Sequence, residues 1–472
     1  MGPRARRAAL VLVVLAAAAC SPASSSAAKP SASPTSQPTV LSGSIGSAAY
    51  SIEVPVGWNG TLFLYSHGYV APGSSNPAVA APGSQASSWL LSHDYAIAGS
   101  SYSSTGWALE DAFKDQVALL DLFDQRVSKP TRVIAWGHSL GGIITAGLVQ
   151  LYPNRFAGAI PMCGVLSGGV ASWNTGLDSA YAFRTLLASQ STLQLTGITD
   201  PAANLQVALA AFNKARGTPA GDARLALVGA LAGLPGWFDV TKEEPAPGDF
   251  KARVVAQESW ESRINFPFEF QYRADIEQRA GGNPSWNTGV DYHHQLAISP
   301  DAAEVRALYR AAGLNLESDL RALEGGRRIK SDPAAVAYLD RNLSFDGRLS
   351  VPVLTMHTTG DGLVIPQNET AYAGVVATAR RQDLLREVYV HRAGHCAFSP
   401  AETIALVQQM INRLDTGRWD DQALKPAALN AVALAQGQSD NSFFGFAVPP
   451  AFIAFKPGPY PRPFPKGSAA AP

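Results

Sequence analysis

Two parts of the chain alternate short, continuous apolar runs with stretches at helical spacing. In the first, Tyr50–Val56 alternates weakly, and Thr61–Ser66 (TLFLYS), Tyr95–Ser101, Thr131–Trp136 and Phe156–Cys163 are apolar along most of their length. Runs this short and this apolar predict strands buried on both faces. Gln85–Ser92, Leu109–Val127 and Gly142–Leu151 lie between them and read as helices. The pattern resumes with a strand at Val351–His357, a helix at Gln367–Ala379, a strand at Leu385–His391 and an amphipathic helix at Pro400–Leu414. Strand alternating with helix implies a parallel sheet. The intervening Gly164–Ser350 is rich in Ala and Leu at helical spacing, notably over Asn204–Arg216, Arg224–Leu234 and Ala302–Ala312.

The expected architecture is therefore α/β: a mostly parallel sheet with a large, mainly helical cap inserted after Phe156–Cys163, the sixth strand in the conventional numbering of such sheets. The core is expected at residues 41–163 and 351–419, and the cap at 164–350. A tail follows at 420–472, in which Phe443–Phe455 is too apolar to stay in water and Lys456–Pro472, rich in Pro, reads as disordered. The insertion leaves the sheet at the strands' C-terminal edge, where open parallel sheets bind ligands, so it is placed to cover a site.

Composition narrows the partners. Among 472 residues Lys plus Arg and Asp plus Glu are both 37, and this balance argues against nucleic acid, which favours a basic excess. Residues 1–19 have the form of a signal peptide: Arg4, Arg6 and Arg7, then an apolar run from Ala8 to Ala19 too short to span a bilayer. Arg6-Arg7 fits twin-arginine export, and the general secretory route fits equally. Ala17-Ala18-Ala19-Cys20 resembles a bacterial lipobox, which implies a lipidated Cys20; plain secretion with cleavage near Ala19 is the alternative. Residues 20–40, mainly Ser, Pro and Ala, read as a flexible tether.

Chemistry enters at Thr131–Gly142 (TRVIAWGHSLGG). Gly137-His138-Ser139-Leu140-Gly141 matches G-x-S-x-G between a strand and a helix, where a serine hydroxyl is held clear of the backbone on a strained turn. The strand Val351–His357 runs into Thr358-Thr359-Gly360-Asp361, and Leu385–His391 is followed by His395. Ser139, Asp361 and His395 thus each follow a strand, in one of the three well-known triad orders. Histidine can take the serine proton and return it to a leaving group, while a buried carboxylate fixes the imidazole tautomer. Asp383 and Glu369 are rival acids, but neither directly follows a strand; His391 and His138 read as structural. His293-His294 finds no third ligand at metal spacing, so no metal or cofactor is expected. His67-Gly68-Tyr69 follows the strand Thr61–Ser66, which makes the backbone N–H groups of Tyr69 and Leu140 the candidate oxyanion donors.

On these motifs the sequence resembles the α/β-hydrolase superfamily over roughly Tyr50–Cys163 and Val351–Gly417. The resemblance implies Ser139 as nucleophile, His395 as general base and then acid, and Asp361 as the group that orients it. The elbow GHSLGG is also similar to the lipase signature, with Ala135-Trp136 where small aliphatic residues are usual. Tyr102 and Trp107 lie past a strand's C-terminal end and are candidate pocket residues. Ser172-Trp173-Asn174-Thr175-Gly176 recurs as Ser285-Trp286-Asn287-Thr288-Gly289. The repeat reads either as turn and helix-start chemistry used twice or as two tryptophans, Trp173 and Trp286, clamping a substrate.

The activity expected is that of an exported, lipid-anchored hydrolase of carboxylic esters, small or polymeric. A serine aminopeptidase or amidase, with Glu258 and Glu261 receiving an ammonium group, is the alternative, and a non-catalytic binding lipoprotein is a third. Cys163 and Cys396 are brought toward one sheet edge by the triad itself, so a disulfide is expected, against two buried thiols. Feruloyl esterases and tannases are similar in pairing a cysteine just after the catalytic histidine, although their partner precedes the serine, where this chain has His138. If Cys20 carries the lipid, Cys20→Ala moves the exported protein from the membrane to the soluble fraction on fractionation, and retention in the membrane refutes the anchor.

Overall fold

Strands and helices alternate as the apolar runs require. The computed structural model describes residues 37–443 and 445–468, so the leader, Cys20 and most of the tether lie outside the described residues. The strands are β1 (Thr39–Ile45), β2 (Ala48–Val54), β3 (Thr61–Ser66), β4 (Ala96–Ser100), β5 (Arg132–His138), β6 (Gly158–Met162), β7 (Val353–Gly360) and β8 (Leu385–Ala393). They form a nine-stranded sheet in the order β1-β2-β4-β3-β5-β6-β7-β8, closed at the far edge by the short strand Phe452–Ile453. From β4 to β8 every pairing is parallel, whereas β1, β2 and Phe452–Ile453 pair antiparallel with their neighbours. The central strands β3, β4 and β6 are buried at every position. β1 is mostly exposed, and this edge position removes the alternation that would announce it, so the sheet begins inside the expected tether, at Thr39.

Both faces of the sheet are covered. Helices α1 (Ser84–Ser92), α2 (Leu109–Arg126) and α3 (Leu140–Leu151) join the first strands. One core, with Leu62, Leu64, Phe113, Phe123 and Ile143, lies under α2 and α3; the other, with Phe63, Ile134, Trp136, Met356 and Met410, lies on the opposite face. Between β6 and β7 the regular elements are all helical. They are α4 (Gly169–Leu187), α5 (Pro201–Ala215), α6 (Pro219–Ala232), α7 (Phe250–Trp260), α8 (Arg273–Ala280), α9 (Tyr292–Ile298), α10 (Ala302–Ala311), α11 (Leu316–Gly325) and α12 (Pro333–Leu343). Two π-helical turns, Glu261–Asn265 and Phe268–Tyr272, lead from α7 to α8. This insertion has its own core around Phe183, Phe212, Phe266 and Phe270. The second part of the sheet carries α13 (Gln367–Thr378), α14 (Pro400–Thr416) and α15 (Pro426–Leu434). A capping box starts α14, where Ser399 and Glu402 exchange side-chain and backbone hydrogen bonds.

Cys163 and Cys396 form a disulfide with Cα atoms 5.4 Å apart, joining the end of β6 to the loop after β8 across 233 residues of sequence. A crosslink of that span contributes roughly 2–4 kcal/mol, mainly by restricting the unfolded chain.

The tail departs from expectation. Residues 456–468 are ordered, with Tyr460 and Phe464 buried. Arg462 Nη1 meets both oxygens of Asp178 at 2.9 and 3.0 Å and donates to the Trp286 carbonyl at 2.8 Å. Asp178 is buried in α4, and that burial pushes its pKa up against the pull of Arg462. A Pro-rich composition signals disorder only when nothing distant demands the segment; here a buried carboxylate does. Arg462→Ala should therefore cost about 3 kcal/mol in urea unfolding, because it leaves a buried charge unpaired. Asp178→Asn in the same background should recover much of that loss, and equal instability of the single and double variants would refute the pairing argument.

Candidate active site

The turn between β5 and α3 holds Ser139 at φ 58°, a left-handed conformation that a side chain rarely adopts. It survives because its flanks must be glycine. A Cβ at Gly137 would sit 2.5 Å from the Ser66 carbonyl oxygen, and one at Gly141 would sit 1.9 Å from the same atom. The strand end and the helix start are thereby packed directly against the end of β3. The His67-Gly68 turn follows at once, and a Cβ at Gly68 would lie 3.4 Å from Ser139 Cβ. His67 braces this turn: its Nδ1 lies 2.8 Å from the Gly68 carbonyl and its Nε2 3.1 Å from the Ser101 carbonyl, one of which accepts the single N–H of a neutral imidazole, and its ring stacks on Tyr102 at 4.1 Å. Tyr69 and Leu140 both line the cavity over Ser139. Leu140 is the first residue of its helix, so its N–H has no partner within the helix.

Asp361 and His395 meet as the strand ends require. His395 Nδ1 lies 2.7 Å from Asp361 Oδ2, and Asp361 Oδ1 accepts the backbone N–H groups of Leu363 and Val364 at 3.0 Å each. Burial would raise the Asp361 pKa, but His395 and His357 outweigh it and hold the carboxyl below its ordinary value. At the other nitrogen, His395 Nε2 has Cys396 Sγ at 3.3 Å, and no hydrogen bond joins it to Ser139 Oγ in this structure. Such arms are often open without substrate and tighten when it is seated.

Behind Asp361 lies a pair the strand pattern conceals. His357, inside β7, is fully buried with Nε2 at 3.6 Å from Asp361 Oδ2 and Nδ1 at 2.9 Å from Glu369. Its Nε2 also meets the Val364 carbonyl at 2.7 Å. Burial alone would lower its pKa, yet the neighbouring carboxylates of Asp361 and Glu369 prevail and raise it to about 10. Glu369, a rival acid on sequence grounds, is thus the partner of His357. The signal was present: a histidine in an otherwise apolar strand needs a buried partner. His391 is on the exposed side of β8, near Thr359 Oγ1 at 3.2 Å. His138 is half-buried beside Tyr65, and desolvation together with the nearby His395 lowers it to about 3.

The cavity draws on three parts of the chain. From the sheet side come Tyr69, Trp107, Ser139, Leu140, Val165 and the Gly362–Ile365 loop; from the insertion come Trp173, Thr175, Phe268, Glu269 and Arg273; Tyr460 comes from the tail. Trp107 and Trp173 meet edge to face at 5.5 Å. Several expectations are corrected here. Tyr102 is not a wall residue; it is buried under the His67 turn and donates to the His67 carbonyl at 3.2 Å. Trp286 stands apart from the cavity, against Phe464 and Arg462, so Trp173 and Trp286 form no clamp.

The repeated motif serves contact between its own copies. Ser285 Oγ donates to the Trp173 carbonyl at 3.1 Å and the Trp286 N–H to Asn174 Oδ1 at 3.0 Å. The first copy lies inside α4 and the second before α9, so they do not share one turn. Glu258 and Glu261 are not among the wall residues either. Burial raises Glu258 to about 7 and holds Glu261 well above its ordinary value, and the acid in the wall is Glu269, which burial raises to about 8. Glu269 accepts a hydrogen bond from Ser179 Oγ. Periodicity does not separate these acids, because the π-helical turns shift which side chains face inward.

The family model described as the prolyl oligopeptidase family matches residues 99–216. An o-phthalyl amidase from Xanthobacter agilis is 28% identical over 447 residues, covering 87% of this chain and 95% of that protein. Among solved structures, an esterase from Aspergillus oryzae shares 14% identity over 81% of this chain and 80% of that chain, with TM-score 0.40. A proline iminopeptidase from Mycobacterium smegmatis shares 12% identity over 80% of this chain and 99% of that chain, with TM-score 0.36. The strand order and the serine turn, together with the family match, decide the class. The chain is a serine hydrolase with the α/β-hydrolase fold.

In this hydrolase, Ser139→Ala should abolish both turnover and covalent labelling by a fluorophosphonate. Asp361→Asn should lower kcat by about 10⁴-fold by presenting the wrong imidazole tautomer, while Asp383→Asn leaves it within about 3-fold. Labelling that persists in Ser139→Ala, or the reverse ranking of the two Asp variants, overturns the assignment.

Proposed function

We propose that this hydrolase cleaves amides of aromatic carboxylic acids, and the corresponding esters, through an acyl-enzyme on Ser139. One observation carries the amide reading: the amidase relative matches along nearly the whole of both chains, so the likeness includes the insertion that walls the cavity. The aromatic lining of Tyr69, Trp107, Trp173, Phe268 and Tyr460 supports a flat acyl group.

In the reaction, His395 Nε2 takes the Ser139 proton as Oγ bonds to the carbonyl carbon. The oxyanion forms opposite the N–H groups of Tyr69 and Leu140, each such donor supplying roughly 3 kcal/mol in other enzymes. Collapse breaks the C–N or C–O bond, and the His395 imidazolium gives its proton to the departing amine or alcohol. Water then repeats the sequence and releases the acid. Asp361, with its charge held by His357 and two backbone N–H groups, stabilises the imidazolium at both stages. Work outside the cytoplasm, tethered through Cys20, belongs to the same proposal; the Cys163–Cys396 disulfide supports an oxidising compartment.

Purified enzyme offered benzoyl and acetyl anilides, the matching p-nitrophenyl esters and aminoacyl anilides tests the reading. Benzoyl anilides should be cleaved, with kcat/KM at least about 10-fold above acetyl anilides, as expected when an aromatic ring is buried. Cleavage of esters alone returns the enzyme to an esterase, and preference for aminoacyl anilides makes it a peptidase.

A further inference from the structure

The cavity wall contains a charge that an aromatic acyl group alone does not explain. Arg273 is almost completely buried at the start of α8 and lines the same cavity as Ser139. Its Nε donates to Glu277 at 3.1 Å and its Nη2 to Asn283 at 2.9 Å, which leaves Nη1 with no acceptor among the described residues. Glu277 also accepts the Gly197 N–H at 2.8 Å, so its charge is shared. The guanidinium stands 5.9 Å from the Trp173 ring centre. Two further wall residues carry idle donors: the indole N–H groups of Trp107 and Trp173 are buried and make no hydrogen bond among the described residues, and both residues are more than nine-tenths buried. Buried donors without acceptors are costly, and a wall offering several of them together is matched by a ligand that brings acceptors.

We propose that Arg273, with the indole N–H groups of Trp107 and Trp173, forms a carboxylate subsite, so that the preferred acyl group is an aromatic acid carrying a second carboxylate. The proposal rests on the reading of the enzyme as a hydrolase of aromatic acyl compounds and names which of them it selects. Glu269, the acid of the wall, does not oppose it: burial raises its carboxyl to about 8, toward the neutral form, and its Oε2 has no partner among the described residues. The remaining charges facing Arg273 are Glu277, already paired, and Glu269; Asp275, on the same helix, pairs with Arg279 and receives the Trp107 N–H. The anion therefore meets one positive group and neutral donors. Arginine suits the role because its fixed fork can hold a carboxylate while other nitrogens stay engaged.

The experiment compares three anilides of one ring: 2-carboxybenzoyl, 2-carbamoylbenzoyl and benzoyl. The wild-type enzyme should favour the carboxylate over both neutral rings by about 100-fold in kcat/KM, and phthalate should inhibit about 100-fold more tightly than benzoate. In Arg273→Met the preference should fall to within about 3-fold, and in Trp173→Phe, which deletes one N–H, by about 10-fold. The preference is a ratio within one preparation, so a partly misfolded variant does not distort it. Phthalate inhibition of the wild type tests the subsite even if Arg273→Met fails to fold. A wild-type ratio near one, or a ratio unchanged in Arg273→Met, overturns the subsite while leaving the aromatic acyl hydrolase intact. Cleavage of none of the anilides or their esters overturns that underlying reading instead. A preference for a 2-aminomethylbenzoyl anilide would give the wall to Glu269 as a cation partner, and would also overturn the proposal.

Discussion

The carbonyl oxygen of Ser66 is the point against which the site is built. Gly137 and Gly141 both approach it closer than any side chain could tolerate, so the end of β5 and the start of α3 are pressed onto the end of β3. That contact holds Ser139 in its left-handed conformation. It also sets the His67-Gly68 turn beside the nucleophile, since Ser66 passes directly into His67. Tyr102, itself at φ 64°, braces the turn from below by stacking and by its hydroxyl. The nucleophile and the candidate oxyanion donors thus share one rigid origin, as preorganised electrostatics require.

Around that origin, buried charge is arranged in chains. Glu369, His357, Asp361 and His395 succeed one another from α13 to the loop after β8. His395, and His357 standing between two carboxylates, hold the buried Asp361 carboxyl below its ordinary value although it has no exposure to water. Farther out, Asp178 is matched by Arg462, and Arg253 by Asp301 and Glu304. Each arrangement ties segments distant in sequence. Stability gained from such pairs is modest, but breaking one strands a charge, so they fix which segments dock where.

The insertion is joined to the sheet side by similar means. Asp275 and Arg279 of α8 hold the Ser104–Trp107 loop, through the Trp107 N–H, Ser104 Oγ and the Thr105 carbonyl. A Cβ at Gly106 would collide with the Asp275 carboxylate at 2.3 Å, so this loop requires glycine to dock. Trp107 is thereby positioned by the insertion although it belongs to the core, and the disulfide secures the His395 loop on the other side.

Local chemistry determined much of this protein from the sequence. Continuous apolar runs announced β3 to β8, because a strand buried on two faces must be apolar at successive positions. G-x-S-x-G and the residues just past β7 and β8 announced Ser139, Asp361 and His395, because such groups must stand at strand ends. The same strand ends brought Cys163 and Cys396 together. What only the tertiary structure decided was pairing at long range and the direction of side chains in irregular helix. Nothing in a Pro-rich tail reveals that Arg462 answers an aspartate 284 residues away. Nor does helical periodicity reveal that two π-helical turns bring Glu269, and neither Glu258 nor Glu261, to the cavity wall. Trp173 and Trp286 sit in identical pentapeptides, yet one lines the cavity and the other packs on the tail, since burial depends on what each neighbour offers. Position along the chain follows from local sequence; the partner across the cavity follows from packing alone.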